Sequence, residues 1–297
     1  MTMIENGKRE REIAALVSLL DDSDDAILPV VTERLKSLKP NISALLTLRK
    51  TYSDNDVMSY RIGKIINEIR SSNLLWEIEL WQQERDPELL KGLWLVYRAL
   101  FPQAQYRTMA DICMEMAKEV WVEITDNQTA LEKVHLYNHI FLHRFGFKVD
   151  DPLLFEFEGA FLENALVKRN ANPVLFGLIY LDVAYRVGLP IRAVVFPGGF
   201  MPVCVDENET ILFYINIFNT GEIFKVEQLI SLLREFGIII HRDHFFIGNA
   251  ILLSSIYAES LYYISGNKGN SEIEQKMEQI IKLLGDKRFL LIEEDDE

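Results

Sequence analysis

Cysteine is almost missing from this 297-residue sequence, which contains only Cys113 and Cys204. Two thiols far apart in the chain and on different predicted elements supply neither a disulfide framework nor a four-cysteine zinc site, and each reads as a small buried hydrophobe. Long apolar runs are missing too, since no stretch approaches the roughly 20 apolar residues that cross a bilayer. The opening MTMIENGKREREIAALVSLL is charged where a secretory signal needs an uninterrupted apolar segment, so a cytoplasmic protein making no membrane contact is expected. Basic residues are also short, with 31 Lys and Arg against 45 Asp and Glu and a formal charge of −14. A surface of that sign repels phosphate backbones unless a local basic patch overrides it, which argues against nucleic acid as a partner. What the chain does have is an apolar fraction of 49%, ordinary for a globular protein. Its length suits one large domain or two or three smaller ones.

From residue 13 to about 101 the apolar spacing is helical, and it repeats. The segments 13–38, 42–69 and 74–100 each read as two short helices around an acidic turn, and Asp24, Asp54 and Asp86 lie 30 and 32 residues apart. That period belongs to stacked helical hairpins, in which the acidic residue caps the second helix of each pair. A bundle of five or six helices with acidic loops satisfies the same pattern. Either arrangement gives an all-helical front end, serving as a docking face or packing on the next domain. Trp76, Trp81 and Trp94 in the third segment read as contacts within the same chain ahead of a binding hot spot.

Two helices are predicted between Met109 and Gly146, the second opening near Thr125 to Thr129 and carrying His135, His139 and His143. Eight residues of helix span about 12 Å. A zinc–nitrogen bond is only about 2.0 to 2.1 Å, so one ion reaches two of the three imidazoles at most. Leu131, Val134, Leu142 and Phe145 share the predicted apolar stripe, with the histidines flanking it. No Cys or acidic residue is placed to complete a metal site, and boundary histidines are the stronger reading.

Asp150, Asp151 and Pro152 then mark a turn, and a helix holds Phe161, Leu162, Leu166 and Val167. The stretch 171–202, ANPVLFGLIYLDVAYRVGLPIRAVVFPGGFMP, organises the rest. Asn172 can cap a helix, Pro173 suits its first position, and Gly188 can take the left-handed turn that ends it. The residues between leave almost no polar face, as in a helix enclosed by other elements, apart from Asp182 and Arg186, which are four apart and able to pair. Strands are predicted at 191–196, 200–205 and 210–217, an amphipathic helix at 226–236 and a short strand at 238–240. His241, Arg242, Asp243 and His244 precede a long helix from about 245 to 264, a hairpin partner at 271–284 and an acidic run at 293–297.

Asn172-Pro173-Val174, Ile179-Tyr180-Leu181, Gly188-Leu189-Pro190, Phe196-Pro197-Gly198, Phe200 and Phe218-Asn219 with Gly221 together resemble the bacterial transglutaminase-like proteins of the invasion-regulator type. Those proteins often carry tetratricopeptide-like C-terminal helices. Leu136-Tyr137-Asn138 through Phe145-Gly146-Phe147 resembles the segment preceding their core, so the similarity covers about 131–224. The resemblance implies an α+β, papain-like core with a buried central helix and a small antiparallel sheet. The expected division is a helical-repeat-like region at 1–105, the core at 106–244, and a C-terminal helical hairpin with its acidic tail at 245–297. In active relatives a cysteine opens the central helix, a histidine follows on the next strand and an aspartate on the one after. A helix N-terminus stabilises the thiolate, the histidine takes the proton and the acid orients it.

This sequence has Leu175, Gly199 and Asn216 at those three positions, so no triad can be built from them. A relocated nucleophile at Cys204, with His241 or His244 as base, is the alternative that would make the chain a cysteine-dependent amidase or protease. A metal module using two of His135, His139 and His143 is the third. The leading expectation is a non-enzymatic module that acts on an unidentified protein partner and needs no cofactor. The oligomeric state is not written in the sequence.

Overall fold

The computed structural model describes residues 3–21, 27–38, 42–52, 54–149, 155–218, 220–235, 245–287 and 290. The chain forms two compact units, Met1–Glu77 and Ile78–Glu297. In the first, helices α1 (Met3–Ser18), α2 (Ile27–Ser37), α3 (Ile42–Thr51) and the greater part of α4 (Asp56–Gln82) enclose a core. Its members recur at three- and four-residue spacing, Ile13 with Val17, Val31 with Leu35, and Met58, Ile62, Ile65, Ile66 and Ile69 along α4. Arg34 pairs with Glu12 at 2.7 Å across the first hairpin.

The structure departs from the expected hairpins at a boundary and in a capping residue. The boundary placed between 69 and 74 falls inside α4, which is a single helix of 27 residues. Arg70, Ser71, Ser72 and Asn73 contain neither glycine nor proline, so nothing stops the hydrogen-bond ladder there. Its start is capped by Asn55, whose side chain accepts from Met58 N at 3.0 Å, not by the expected Asp54. Asp22, Ser23, Asp24 and Asp25 of the first acidic turn, and Ser53 of the second, lie outside the described residues.

The second unit opens with α5 (Leu89–Arg98) and α6 (Tyr106–Glu123). Helix α7 (Ala130–His139) starts on a capping box in which Thr129 and Glu132 satisfy each other's backbone N–H groups. It runs into a wide π turn over Ile140–Arg144, closed by Phe145 N to Ile140 O at 2.9 Å. The buried face holds Val134, Tyr137, Ile140 and Phe141 at regular helical spacing, while Leu131 of the expected stripe, in the first turn of the helix, is exposed. Next come β1 (Lys148–Val149), α8 (Phe157–Ala160), α9 (Leu162–Lys168) and β2 (Asn170–Ala171), with β1 and β2 paired in parallel. The predicted turn at Asp150, Asp151 and Pro152 lies outside the described residues.

Helix α10 (Pro173–Val187) follows, with every residue from Leu175 to Ala184 buried. Strands β3 (Ile191–Phe196), β4 (Gly199–Val205), β5 (Ile211–Asn216) and β6 (Glu222–Phe224), helix α11 (Val226–Glu235) and strand β7 (Phe246–Gly248) complete an antiparallel sheet of order β6-β5-β4-β3-β7. Val194, Phe196, Met201, Val203, Val205, Tyr214 and Phe224 alternate onto the face that packs with Leu229 and Leu233 of α11. Phe200 points the other way, toward Gly177 of α10. Strand β4 is therefore covered on both faces and all seven of its residues are buried. Helix α10, the sheet and α11 form three layers, as an α+β core requires.

Helices α12 (Ala250–Asn267) and α13 (Ser271–Leu283) form the C-terminal hairpin. The helix expected from residue 245 begins five residues later. Ile247 pairs with Val194 at the sheet edge, and Asn249 then caps α12 by accepting from Leu252 N at 2.9 Å. The predicted strand at 238–240, Phe236, His241 to His244 and the acidic run 293–297 lie outside the described residues. Trp81 is buried and donates to Glu88 O at 3.1 Å, Trp94 donates to Ala104 O at 3.0 Å, and Trp76 is exposed.

Helix α5 approaches α12 closely because Gly92 has no side chain. A Cβ there would lie 2.2 Å from Ser254 Oγ and 2.4 Å from Trp81 Cζ2. Gly92→Ala is expected to cost about 1–3 kcal/mol by overpacking. Gly63→Ala in α4 meets only the mobile end of Arg49 at 3.2 Å. It should be neutral or gain up to about 1 kcal/mol from helix propensity, a contrast that urea midpoints would read directly.

Candidate functional site: an apolar cleft at the start of the central helix

The N-terminus of α10 is built by local sequence. Asn172 stays extended at φ −67°, ψ 162°, and its side chain accepts from Leu175 N at 2.9 Å, while Pro173 takes the first helical position. Asn172 N donates in turn to Gly159 O at 2.8 Å, fixing the cap against α8. The amide at 175, which would help stabilise a thiolate on a helix opening with cysteine, is thus occupied by the cap. The Leu175 side chain is fully buried.

Gly199 opens β4 at φ +150°, a backbone state that side-chain-bearing residues rarely adopt, although a Cβ there would meet no atom within 4 Å. A Cβ alone would fit at 199, but the backbone has taken a conformation that favours glycine. Asn216 ends β5, and its carbonyl accepts from Gly221 N at 3.1 Å. Gly221 is itself held from α7, because its carbonyl accepts from Asn138 Nδ2 at 3.0 Å. A Cβ on Gly221, which sits at φ +77°, would lie 2.5 Å from that same nitrogen. Asn138 Oδ1 accepts from Tyr180 OH at 2.6 Å, and Tyr137 OH donates to Tyr180 O at 2.6 Å. This buried relay explains the Leu136-Tyr137-Asn138 segment, whose role is not legible in the sequence: it pins the turn that presents Asn216.

Gly199 and Asn216 meet at a cavity of about 410 Å³ whose walls also include Pro173, Val174, Phe196, Phe200, Met201, Phe218, Leu232, Leu233 and Leu290. Leu175 packs beneath this surface and is not part of it. Two of the three positions therefore come together and the third is withdrawn. Among the described lining residues no side chain ionises, and the Asn216 amide is the only polar side chain. The volume lies in the range of small-molecule and side-chain pockets. Such a cleft can hold an apolar group, and its described walls supply no nucleophile and no base. A second cavity of about 520 Å³ is more polar, with Asp86, Tyr185, Arg192 and Glu209 on its walls. There Asp86 accepts from Tyr185 OH at 2.5 Å instead of capping α5.

Cys204 lies five residues along β4 from Gly199, about 17 Å away at strand rise. It is fully buried on the face turned to α10, with Val205 O at 3.9 Å as its hydrogen-bond acceptor, and burial pushes the thiol up to about 11. His241 and His244 lie outside the described residues. Cys113 is also fully buried, and burial raises its thiol further still. His135, His139 and His143 are all exposed, with the last two rings 5.3 Å apart. Among the described residues no three potential ligands gather around a metal position.

Asn138→Ala removes both partners of the relay at once and orphans a buried hydroxyl and a buried carbonyl. It is expected to cost about 1–3 kcal/mol for each group, read as a lowered melting temperature. Iodoacetamide should label Cys204 at pH 8 no faster than the protein unfolds. The thiol is neutral in the folded state until pH approaches 11 and ionises near 8.5 once exposed, so the stability it contributes falls as pH rises between those values.

Residues 108–247, which carry this helix, the sheet as far as Ile247 and the described cleft wall except Leu290, match the sequence model described as Transglutaminase-like superfamily. The chain is 25% identical over 142 residues to a UPF0162 protein of Vibrio cholerae serotype O1, covering 48% of this chain and 52% of that protein. It is 21% identical over 155 residues to a UPF0162 protein of Xylella fastidiosa strain 9a5c, covering 52% of this chain and 54% of that protein. The chain thus spans about half the length of these curated relatives. No solved structure matches it. Among the described residues no helix is long and apolar enough to cross a membrane. Every described residue of the cleft wall except Leu290 lies in the segment that is similar to transglutaminase-like superfamily domains.

Proposed function

We propose that this chain carries a catalytically inactive transglutaminase-like domain of the invasion-regulator type whose cleft has become a docking site for an apolar group of a protein partner. One observation carries the reading. At the place where the resemblance puts a cysteine, a histidine and an aspartate, the wall of the cleft is hydrocarbon, bare backbone and one amide. Bond cleavage by the triad route needs a polarisable nucleophile and a base within hydrogen-bond reach, and Leu175, Gly199 and Asn216 supply neither. The cap, the positive-φ glycines and the buried relay shape the cleft without involving a reacting group, as expected of a fold kept for its surface. The helical region ahead of the core offers a second contact surface, and a cytoplasmic setting fits two unpaired buried thiols.

The purified chain is expected to release no amine or ammonia from glutamine-containing peptides and no acyl group from activated esters. Turnover that disappears in Cys204→Ser would overturn the proposal in favour of the relocated thiol. Binding is the positive test: Val174→Asp places a charge in the apolar wall. It should weaken capture of an apolar probe such as Nile red at least about tenfold, since an unpaired buried charge costs several kcal/mol.

A further inference from the structure

The second cavity, of about 520 Å³, lies toward the other end of α10 from the cleft, with Leu181 and Tyr185 in its wall. Tyr185 is twelve residues beyond Pro173, about 18 Å along the helix. Sheet topology opens this space. Strand β7 stops at Gly248 opposite Ala193, where the chain turns into α12, so no described strand covers that side of Ile191 and Arg192. Arg192 folds over the bared edge, its Nη1 donating to Ile191 O at 3.1 Å. Buried Leu181, Ile191, Ala193 and Leu253 give the cavity an apolar floor, and Asp86, Tyr185, Arg192 and Glu209 stand around it. The charges of this wall are not spent on one another. Among the described residues the only acceptor of Arg192 is Ile191 O, so neither carboxylate pairs with it. The Nε and Nη2 edge of the guanidinium is left for a planar anion, the geometry in which a carboxylate takes two parallel bonds. Asp86 is held by Tyr185 OH, which donates to Oδ2 at 2.5 Å and leaves Oδ1 for a cation. That bond keeps the phenol protonated by raising its pKa, and the Arg192 charge is near enough to oppose the rise. Glu209 stands at φ +59° in the turn before β5, where its N–H donates to Asp206 O at 3.0 Å and Asp206 Oδ1 accepts from Asn208 N and Thr210 N. Glycine is the residue such a backbone favours, and it would bring no carboxylate to the wall.

We infer that this cavity is a binding site for a small apolar zwitterion, an amino acid or short peptide with free termini. Its ammonium sits between Asp86 and Glu209, its carboxylate on the Arg192 fork, and its side chain on the apolar floor. A simple anion would face two carboxylates and a simple cation would face the guanidinium, whereas a ligand with one charge of each sign leaves no group of the wall opposed. The site does not depend on how the cleft at the start of α10 is read.

Isothermal titration of the full-length chain with leucine and with leucyl-leucine is the test, run beside the N-acetylated and the C-amidated form of each. At least one zwitterion is expected to bind, and either block should weaken it at least about tenfold, the loss of one charge-assisted contact. Arg192→Gln should remove the penalty for amidation and keep the penalty for acetylation. Glu209→Gly should lower the penalty for acetylation while melting no lower than the parent chain, because glycine suits the left-handed backbone at 209. Absence of heat and of any shift in melting temperature with both zwitterions would overturn the site, as would blocked forms that bind as tightly as the free ones. Binding kept in Arg192→Gln but lost in Val174→Asp would place the ligand in the other cleft and overturn the assignment equally.

Discussion

The constraint on which the second unit depends is a carboxylate buried inside it. Asp182 is almost inaccessible to water and sits on a helix that is apolar on every other side. Its two oxygens are both used: Oδ1 accepts from Leu90 N at 3.1 Å and Oδ2 from Arg186 Nε at 2.6 Å. Arg186 reaches on to Glu88, which also accepts from Tyr106 OH. Burial pushes the Asp182 carboxyl up, and the Arg186 charge opposes it. For Arg186 burial works against the charge, yet the carboxylates of Asp182 and Glu88 outweigh it and raise its pKa. Removing one member of such a set costs about 3–5 kcal/mol, because the remaining charges stay buried without their partner. The network therefore does more than pair two residues four apart. It caps α5 from another helix, ties the start of α6 to both, and sets the orientation of α10 within the unit.

Once α10 is held, the sheet must come to it. Gly177 lets the Phe200 ring approach to 2.8 Å of where a Cβ would stand, which brings the beginning of β4 against the first turns of the helix. That contact, the glycine backbone at 199 and the relay through Tyr137, Asn138 and Tyr180 to Gly221 together place β4, β5 and the helix start around one cleft. In an enzyme of this architecture the same supports would hold reacting groups within tenths of an ångström. Here they hold Val174, Gly199, Phe200 and Asn216 around the cleft.

Much of this is legible along the chain where the signal is local. Asn172, Pro173 and Gly188 mark both ends of α10 to the residue, and the absence of a polar face announces a helix buried all round. Asp182 and Arg186 at four-residue spacing predict their own pair. What escapes is whatever depends on a distant partner or on a change of helical phase. Asp86 looks like a cap and instead binds Tyr185, while the amide near it is taken by Asp182, 92 residues away. The stripe through Leu142 and Phe145 assumes a regular helix, and the π turn at Ile140–Arg144 changes the phase there. The repeat places a boundary between 69 and 74, yet α4 runs through it because no residue there breaks a helix.

The sequence by itself determined the α+β character of the core, the limits and burial of its central helix, and the identity of the three side chains where a triad would stand. The limits and burial of the helix are properties of residue type and short-range spacing, which periodicity and capping chemistry expose, whereas the three triad positions follow from the family resemblance. Only the tertiary structure decided that Leu175 is withdrawn while Gly199 and Asn216 share a wall, that Cys204 faces α10 far from them, and that Leu290 arrives at the cleft. Those relations join residues separated by tens to more than a hundred positions. They are set by which apolar faces and buried polar groups can be satisfied together, a condition of the packed whole that no local pattern contains.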